Sequence, residues 1–561
     1  MKIGLYIVFL PCIAFTVYRS YRLLVNYIGA RRLKLPIVLL PISFEDAWFA
    51  PLRPLFAWVE RLPCGLGNWY LYTDIGWPMV DGGRSVSRLG ESFVLVTPTR
   101  NQIITSHQPA IERLYKDMKT WILPDPFAQF FTFFGQNVSS LNGQDWQRHR
   151  KITAPAFNDQ NMRNVWDESL ERAREIIRFD NENVRNLADI RSDFEVLAMH
   201  VLAAVGFGQD STALTTIPPG HRLTLLDSLG FILKHVFVSI IFNGIQVPDP
   251  FLPQTLRRLK LSVAEFRKYM QESVLYQLRK SNQKSVGKTT SLLEAMVHAN
   301  EAEKSQSQAQ TASSKPSYLT DSELYGNLFV FNLAGFETTA GTMTFALPYL
   351  AAHPKTQDWV REEVDAQYTH TLSKVSYADT YSKLVRVMAV MYETLRLAGP
   401  APQMLRIPTT STLLPIAPSA KKPGHSRTVM IEPETLITAD FYALHLSPLW
   451  GADRFEFKPQ RFVSQSKDGE DVLTVPEADG IMYIPWVFGP RVCPGKKFSQ
   501  VEFVAVVAHV LSAYKIEPVR QNGETEEAAR ARLMGVLDGK YFNISTHVKN
   551  PETGGIRFVR R

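Results

Sequence analysis

The sequence predicts a mainly helical chain with few strands, preceded by an N-terminal apolar helix, and three observations carry that prediction. From about residue 160 to 297 the apolar residues recur mostly at helical spacing. Thr320-Asp-Ser-Glu323 is a capping box, with Thr at the cap and Glu three residues on, and it opens a long apolar helix running to about Ala352. Ile3 to Tyr18 contains no charged residue. Strand character is confined to short pieces such as Phe93-Val-Leu-Val96 and a C-terminal hairpin made of Tyr541–Val548 and Ile556–Val559 around Asn550-Pro551.

Composition narrows the class. Of 561 residues 45% are hydrophobic, enough for a large core. Three cysteines, Cys12, Cys64 and Cys493, exclude a disulfide framework and fit a reducing compartment. The net charge of +8 is a mild basic excess that suits an acidic partner or an anionic membrane surface and is no nucleic-acid signal. There are no internal repeats.

Taken in order, residues 1–28 read as a transmembrane signal anchor. Its uncharged run is shorter than the roughly 20 residues that span a bilayer, but Arg19 and Arg22 can snorkel to the interface. No small-x-small cleavage site follows it. Arg19, Arg22, Arg31, Arg32 and Lys34 lie after the run against Lys2 before it, which places the body in the cytosol. Residues 29–64, with Pro36, Pro41, Pro51, Pro54 and Pro63, read as a membrane-touching hinge, and 65–561 as the main domain. Ser106 to Lys116 is expected to be a short helix, and Phe127–Phe134 packs five phenylalanines into eight residues. Trp146 and Arg150 are four apart on one helical face, while Arg148 and Lys151 face elsewhere, as a solvated basic face or toward a partner. Residues 299–317 carry no apolar period and read as a mobile surface linker.

The middle of the long apolar helix is Ala334-Gly-Phe-Glu-Thr-Thr-Ala340. A carboxylate there is costly unless used. Ala334 and Thr338 share a face, and Gly335 removes further bulk. The arrangement reads either as a notch for a small ligand or as a helix crossing. His353-Pro354 starts another helix. Glu393 and Arg396 lie three apart on one face of a later one, and Arg461 follows in Phe457-Lys-Pro-Gln-Arg-Phe462. Near the end, Ile484-Pro-Trp-Val-Phe-Gly-Pro-Arg-Val-Cys-Pro-Gly-Lys-Lys-Phe498 holds Cys493 between Gly489 and Gly495, just before an apolar helix. The loop offers a lone sulfur at a helix N-terminus, where unpaired N–H groups favour thiolate. The alternative is a buried structural cysteine in a glycine-rich turn.

The Cys493 loop resembles the haem-binding loop of the cytochrome P-450 family, with Trp486, Gly489, Arg491, Cys493 and Gly495 in the family's spacing and Trp486 where Phe is usual. Trp146/Arg150, Glu337-Thr338, Glu393/Arg396 and Arg461 precede it in the family's order. The resemblance implies a mainly α cytochrome P-450 fold with a small β-rich lobe. It also implies haem b ligated by Cys493, with haem contacts from Arg491, Trp146, Arg150, Arg406, Trp486, Gly489 and Gly495. Glu393, Arg396 and Arg461 become a structural triad, and Thr338 and Glu337 manage protons. Phe331, Ala334, Pro402 and Met404 shape the substrate pocket, with Phe127–Phe134 near it and Phe231–Phe242 along an entry channel. Ala401–Arg406 begins a strand passing the haem edge.

The activity implied is a monooxygenase of fungal microsomal type, oxidising an apolar secondary metabolite with O2. No flavin or nicotinamide segment resembles a reductase, so electrons come from a separate NADPH-cytochrome P-450 reductase that docks near Lys496 and Lys497. The implied location is the endoplasmic reticulum membrane, single-pass, with a cytosolic body that leaves the Asn137-Val-Ser139 and Asn543-Ile-Ser545 sequons unused. A haem-thiolate isomerase, dehydratase or peroxygenase without a reductase is the alternative, and a non-enzymatic haem sensor a second.

Overall fold

The computed structural model describes residues 2–46, 48–49, 51–125, 132–176, 184–208, 216–235, 238, 250, 252–282, 291–308, 316–367, 375–417, 427–476 and 481–561. The chain begins with α1 (Lys2–Arg32). From Arg19 onward α1 lies on the body: Arg19 pairs with Asp46 at 2.5 Å, Asn26 Nδ2 donates to Thr97 O, and Ala30 is buried. Among the described residues no helix is long and apolar enough to cross a membrane, so the spanning anchor expected for residues 1–28 is not observed. The physical reason is that the helix runs on through Arg19, Arg22, Arg31 and Arg32 and uses its second half for packing and ion pairing.

The segment read as a hinge is partly framework. Ile37–Leu39 (β1) pairs in parallel with Ser92–Val96 (β2), and Arg53–Arg61 forms a 3-10 helix. β2 pairs with Asn101–Thr105 (β3), and a six-stranded sheet continues through Leu436–Asp440 (β6) and Gln403–Pro408 (β5) to Trp121–Ile122 (β4). The strand at Phe93–Val96 is thus observed, wholly buried. The expected helix after it spans Gln108–Lys116.

The helical body is built on Asp321–Ala352 (α8). Its capping box forms as the sequence requires: Glu323 N donates to Thr320 Oγ1, and Thr320 N donates to Glu323 Oε2 at 2.8 Å. α8 is apolar on every side because it is surrounded. It packs against Leu187–Phe207 (α4), Val385–Ala398 (α10), Lys496–Ala513 (α11) and Glu526–Asp538 (α12). Gly143–Thr153 (α2), Asp159–Ile176 (α3), Leu225–Lys234 (α5), Gln254–Asn282 (α6), Leu292–Gln308 (α7) and Pro354–Gln367 (α9) complete this layer. Residues 299–308, read as linker, are the end of α7, while 309–315 lie outside the described residues.

The C-terminal strands also pair differently from the reading. Lys540–Asn543 (β7) and Ser545–Val548 (β8) form their own hairpin, turning at Ile544 with φ 66°. Gly555–Arg560 pairs instead with Tyr514–Pro518 and Val184–Asn186. The turn at Ile544 closes the first pair, and a 3-10 turn at Pro551–Thr553 carries the chain away.

Candidate active site

Where α8, α2, β5, the β7–β8 hairpin and the loop before α11 converge there is a cavity of about 430 Å³. Trp146, Arg150, Arg406 and Arg491 line it, together with Val487, Val492 and Pro494 from the Cys493 loop. Its remaining wall is mainly apolar, including Leu123, Val138, Val330, Ala334, Met404 and Phe542. The i, i+4 pair on α2 does place both side chains on the cavity face. Ala334 and Met404 also line the cavity as expected. Phe331 and Pro402 are not among its lining residues. Phe331 meets Phe157 edge-on at 5.4 Å, and buried Pro402 gives its carbonyl to the amides of Phe441 and Tyr442. Ala401 lines the cavity in place of Pro402.

The loop that carries Cys493 is held in an unusual shape. Gly489 has φ 73°, and a Cβ there would lie 2.8 Å from Tyr115 O, so both conformation and space require glycine. Val487 takes φ 60°, a strained angle for a β-branched residue, and a sign that the surrounding structure imposes the loop's path. Gly495, at φ −81°, needs no special conformation; its missing side chain leaves space 3.9 Å from Cys493 Sγ. Cys493 N donates to Trp486 O at 3.0 Å. Trp486 packs against Tyr392 at 5.4 Å and donates to Ser499 Oγ. Burial pushes the Cys493 thiol up, opposed by the amides of Gly495 and Lys496 and by the Arg150 charge. Cys493 lies between two cavity-lining residues, Val492 and Pro494.

The triad is assembled. Glu393 and Arg396 are fully buried and paired at 2.7 Å, and Arg461 Nε donates to Glu393 Oε1 at 3.0 Å. Arg396 also donates to the carbonyls of His445, Arg454 and Glu456. His445 Nε2 in turn accepts from Ile484 N, the first residue of the Cys493 loop. Burial, then the Arg396 charge, push His445 down to about 3, so it stays a neutral acceptor. Sequence reading missed His445, because nothing local marks a histidine that acts through a backbone amide 39 residues on.

The Glu337-Thr338 pair is split by the helix. Thr338 Oγ1 donates at 2.7 Å to the carbonyl of Ala334, which lines the cavity, while Thr338 itself is not among the lining residues. Glu337 Oε1 instead accepts from Arg191 at 2.5 Å and from Ser545 Oγ at 2.7 Å, with His547 Nε2 at 3.2 Å. Burial would raise the Glu337 carboxyl, but His547, Arg191 and Ser545 together hold it below its ordinary value. Gly335 serves the crossing rather than the notch, since a Cβ there would sit 2.9 Å from Leu202 on α4.

A family model described as Cytochrome P450 matches residues 86–539. The chain belongs to the cytochrome P450 family. It is 28% identical to cytochrome P450 monooxygenase 124 of Postia placenta, over 79% of this chain and 81% of that one. It is 26% identical to the phomenoic acid biosynthesis cluster cytochrome P450 monooxygenase of Leptosphaeria maculans, over 94% of each. The solved cytochrome P450 CYP102L1 superposes with a TM-score of 0.61 at 20% identity, covering 87% of this chain and 95% of that chain, which supports the fold. This cytochrome P450 is a monooxygenase enzyme that uses cysteine-ligated haem iron.

The residues present fit that cofactor. Among the described residues Arg150, Arg406 and Arg491 have no carboxylate partner. Arg406 is 3% exposed, donates only to the neighbouring Leu405 O, and lies over the Tyr115 ring at 4.7 Å. Burial and then the Arg406 charge push Arg491 down to about 9. Crowded, desolvated cations at the edge of an apolar cavity need anions, and two carboxylates on a flat ring supply them. Arg406→Leu is therefore expected to raise the melting temperature of the haem-free protein by relieving this repulsion. The same change should lower haem retention about tenfold, measured by thermal unfolding and by haem titration.

Other readings are corrected by packing. Arg148 is no partner-facing cation: it pairs with Glu323 at 2.6 Å, beside buried His149, and Lys151 pairs with Glu303. Phe133 and Phe134 pack on Phe329 in the core, and Phe231 stacks on His235; residues 127–131 and most of 236–242 lie outside the described residues. Asn137 is wholly buried, which closes its sequon to modification in the folded chain.

Glu323 offers a pH test. Burial would raise its carboxyl, but Arg148, the Thr320 amide and His149 hold it at about 2. A depressed folded pKa contributes stability above the unfolded value near 4.3 and loses it as pH falls through about 2. Glu323→Gln should flatten the fall in melting temperature below about pH 4.3 relative to the parent protein, and an unaltered acid limb would contradict this.

Proposed function

We propose that this P450 inserts one oxygen atom from O2 into an apolar organic substrate of secondary metabolism. Its electrons come from a separate NADPH-cytochrome P450 reductase. The observation that carries the reading is the cavity itself: apolar over most of its wall, bounded by the Cys493 loop and by three arginines that have no counter-ion among the described residues. When bound, haem supplies the binding and reductive activation of O2. Cys493 would ligate its iron, and Arg150, Arg406, Arg491 and the Trp146 indole would hold its carboxylates. Ala334 and Met404 orient the apolar substrate and exclude water. Thr338 Oγ, bonded to the carbonyl of cavity-lining Ala334, holds a proton one turn along the helix, and Glu337 replenishes it. Lys496 and Lys497, both exposed, lie on the reductase-facing side; their ammonium groups sit over Trp486 and Tyr381 at 5.4 and 4.0 Å.

The body is attached to the endoplasmic reticulum from the cytosolic side. Exposed apolar residues of α1, from Leu10 to Ile28, and the exposed Leu55, Trp58 and Leu66 support that reading. The reading is tested by reducing the purified protein under carbon monoxide, then supplying NADPH, reductase and a panel of membrane-soluble compounds. An oxygenated product that depends on both reductase and O2 is expected; product formed without the reductase would overturn it.

A further inference from the structure

A cluster of polar side chains surrounds Glu337. Its carboxylate oxygen meets three groups: the Arg191 guanidinium at 2.5 Å, Ser545 Oγ at 2.7 Å and His547 Nε2 at 3.2 Å. They differ in what they can do with a proton. A guanidinium does not release one near neutral pH, and a hydroxyl only passes one along. An imidazole takes up and releases protons in the physiological range. Arg191 is further committed to Glu195 at 2.6 Å and to Thr546 O. The Glu337 and Arg191 side chains are 11% and 14% exposed.

His547 is built differently. It lies on β8, its ring stacks on Tyr541 at 5.2 Å between centroids, and its side chain is 16% exposed. Nε2 faces two oxygen acceptors, Glu337 Oε1 and Asn543 O at 3.0 Å, with Arg191 Nη2 at 3.4 Å. The two oxygens lie nearer than the Arg191 donor, and this favours the tautomer with its hydrogen on Nε2. Nδ1 has no partner among the described residues and is not among their buried unpartnered atoms.

We propose that His547 is the proton-entry residue for Glu337, a positioning residue that acts on the oxygen-activating helix through that carboxylate. A proton taken from water at Nδ1 makes the ring an imidazolium. The Nε2 proton then passes to Glu337 Oε1, leaving a neutral ring and a neutral carboxyl, and exchange with solvent restores the Nε2 hydrogen. Glu337 turns the proton toward the Thr338 face, and Arg191 draws the emptied carboxylate back. Reduction of O2 with insertion of one oxygen atom consumes two protons and two electrons and releases one water, so each turnover needs this supply. The inference rests on the proposed role of Glu337 in replenishing Thr338.

The test uses the haem-loaded full chain with NADPH, reductase and O2, in ordinary and deuterated water. His547→Gln keeps an N–H donor near Glu337 but cannot exchange a proton, so a merely structural histidine would tolerate it. The expected result is O2 consumption slowed about tenfold, below the 10²–10⁴-fold range of a direct general acid because water partly substitutes, with a larger solvent isotope effect. Infrared titration of the carboxyl, referenced to Glu337→Gln, should show Glu337 protonating at higher pH in H547Q. If E337Q slows O2 consumption while H547Q changes neither rate nor isotope effect, His547 is not the entry point and the proposal is overturned, with the role of Glu337 intact. If E337Q also changes nothing, the reading of Glu337 fails and the proposal with it. Should H547Q not give the thiolate carbon-monoxide spectrum, H547N is put through the same measurements, and the same outcomes decide.

Discussion

Replacing Glu393 with alanine is expected to abolish haem incorporation although Glu393 lines no part of the cavity. The carboxylate sits at zero exposure and accepts from Arg396, from Arg461 and from the Lys458 amide. Its removal leaves the fully buried Arg396 guanidinium charged and without a counter-ion, a change that costs about 3–5 kcal/mol in comparable buried pairs. Folded domains hold only about 5–15 kcal/mol in total, so this is a large share. The loss is directed at the site. Arg396 holds His445 O, His445 Nε2 holds Ile484 N, and Ile484 starts the segment that ends at Cys493. Glu393→Ala should therefore lower the melting temperature of the haem-free protein and fail to bind haem under conditions where the parent binds it. Unchanged melting with normal haem content would show that the arginines find other partners and that the brace is dispensable. Glu393→Gln keeps the volume and one acceptor and should fall between the two.

How far the sequence could be read follows from the range of each interaction. The capping box at Thr320 and the shared face of Trp146 and Arg150 are local, and both appear as read. Spacing alone also puts Glu393 and Arg396 together. What spacing cannot give is the partner supplied by a distant element. The sequence pairs Glu337 with its neighbour Thr338, but its contacts come from Arg191 and Ser545, 146 and 208 residues away. Arg148 resembles a free surface cation in the sequence because Glu323 is 175 residues on. The final strands mislead for a related reason. Two β-like segments in succession suggest a hairpin, but Ile544 closes the first turn early and leaves Gly555–Arg560 for other strands. In α1 an apolar run suggests a span, and the helix that continues through its arginines docks on the sheet instead.

Cys493→Ala is expected to separate chemistry from architecture. The side chain meets only the backbone amides of Gly495 and Lys496, and the path of the loop is fixed by other contacts: Cys493 N to Trp486 O, Gly489 against Tyr115 O, and Ile484 N to His445. A substitution that touches none of these should change the stability of the haem-free protein by no more than about 0.5 kcal/mol. The effect on function should be complete. Without the sulfur there is no thiolate to push electron density toward O–O cleavage, the role that general haem chemistry gives this ligand in P450s. The arginine-rich edge of the cavity remains, so C493A should still take up some haem, held by its carboxylates through Arg150, Arg406 and Arg491. Its reduced carbon-monoxide complex should lack the long-wavelength band of a thiolate, and reductase-driven product should fall below detection. The contrast with Glu393→Ala is the decisive part. One variant keeps its fold and loses its chemistry, while the other loses the fold of the loop and its chemistry together. Full turnover by C493A would mean that another residue ligates the iron, and the assignment of the whole site would then be wrong.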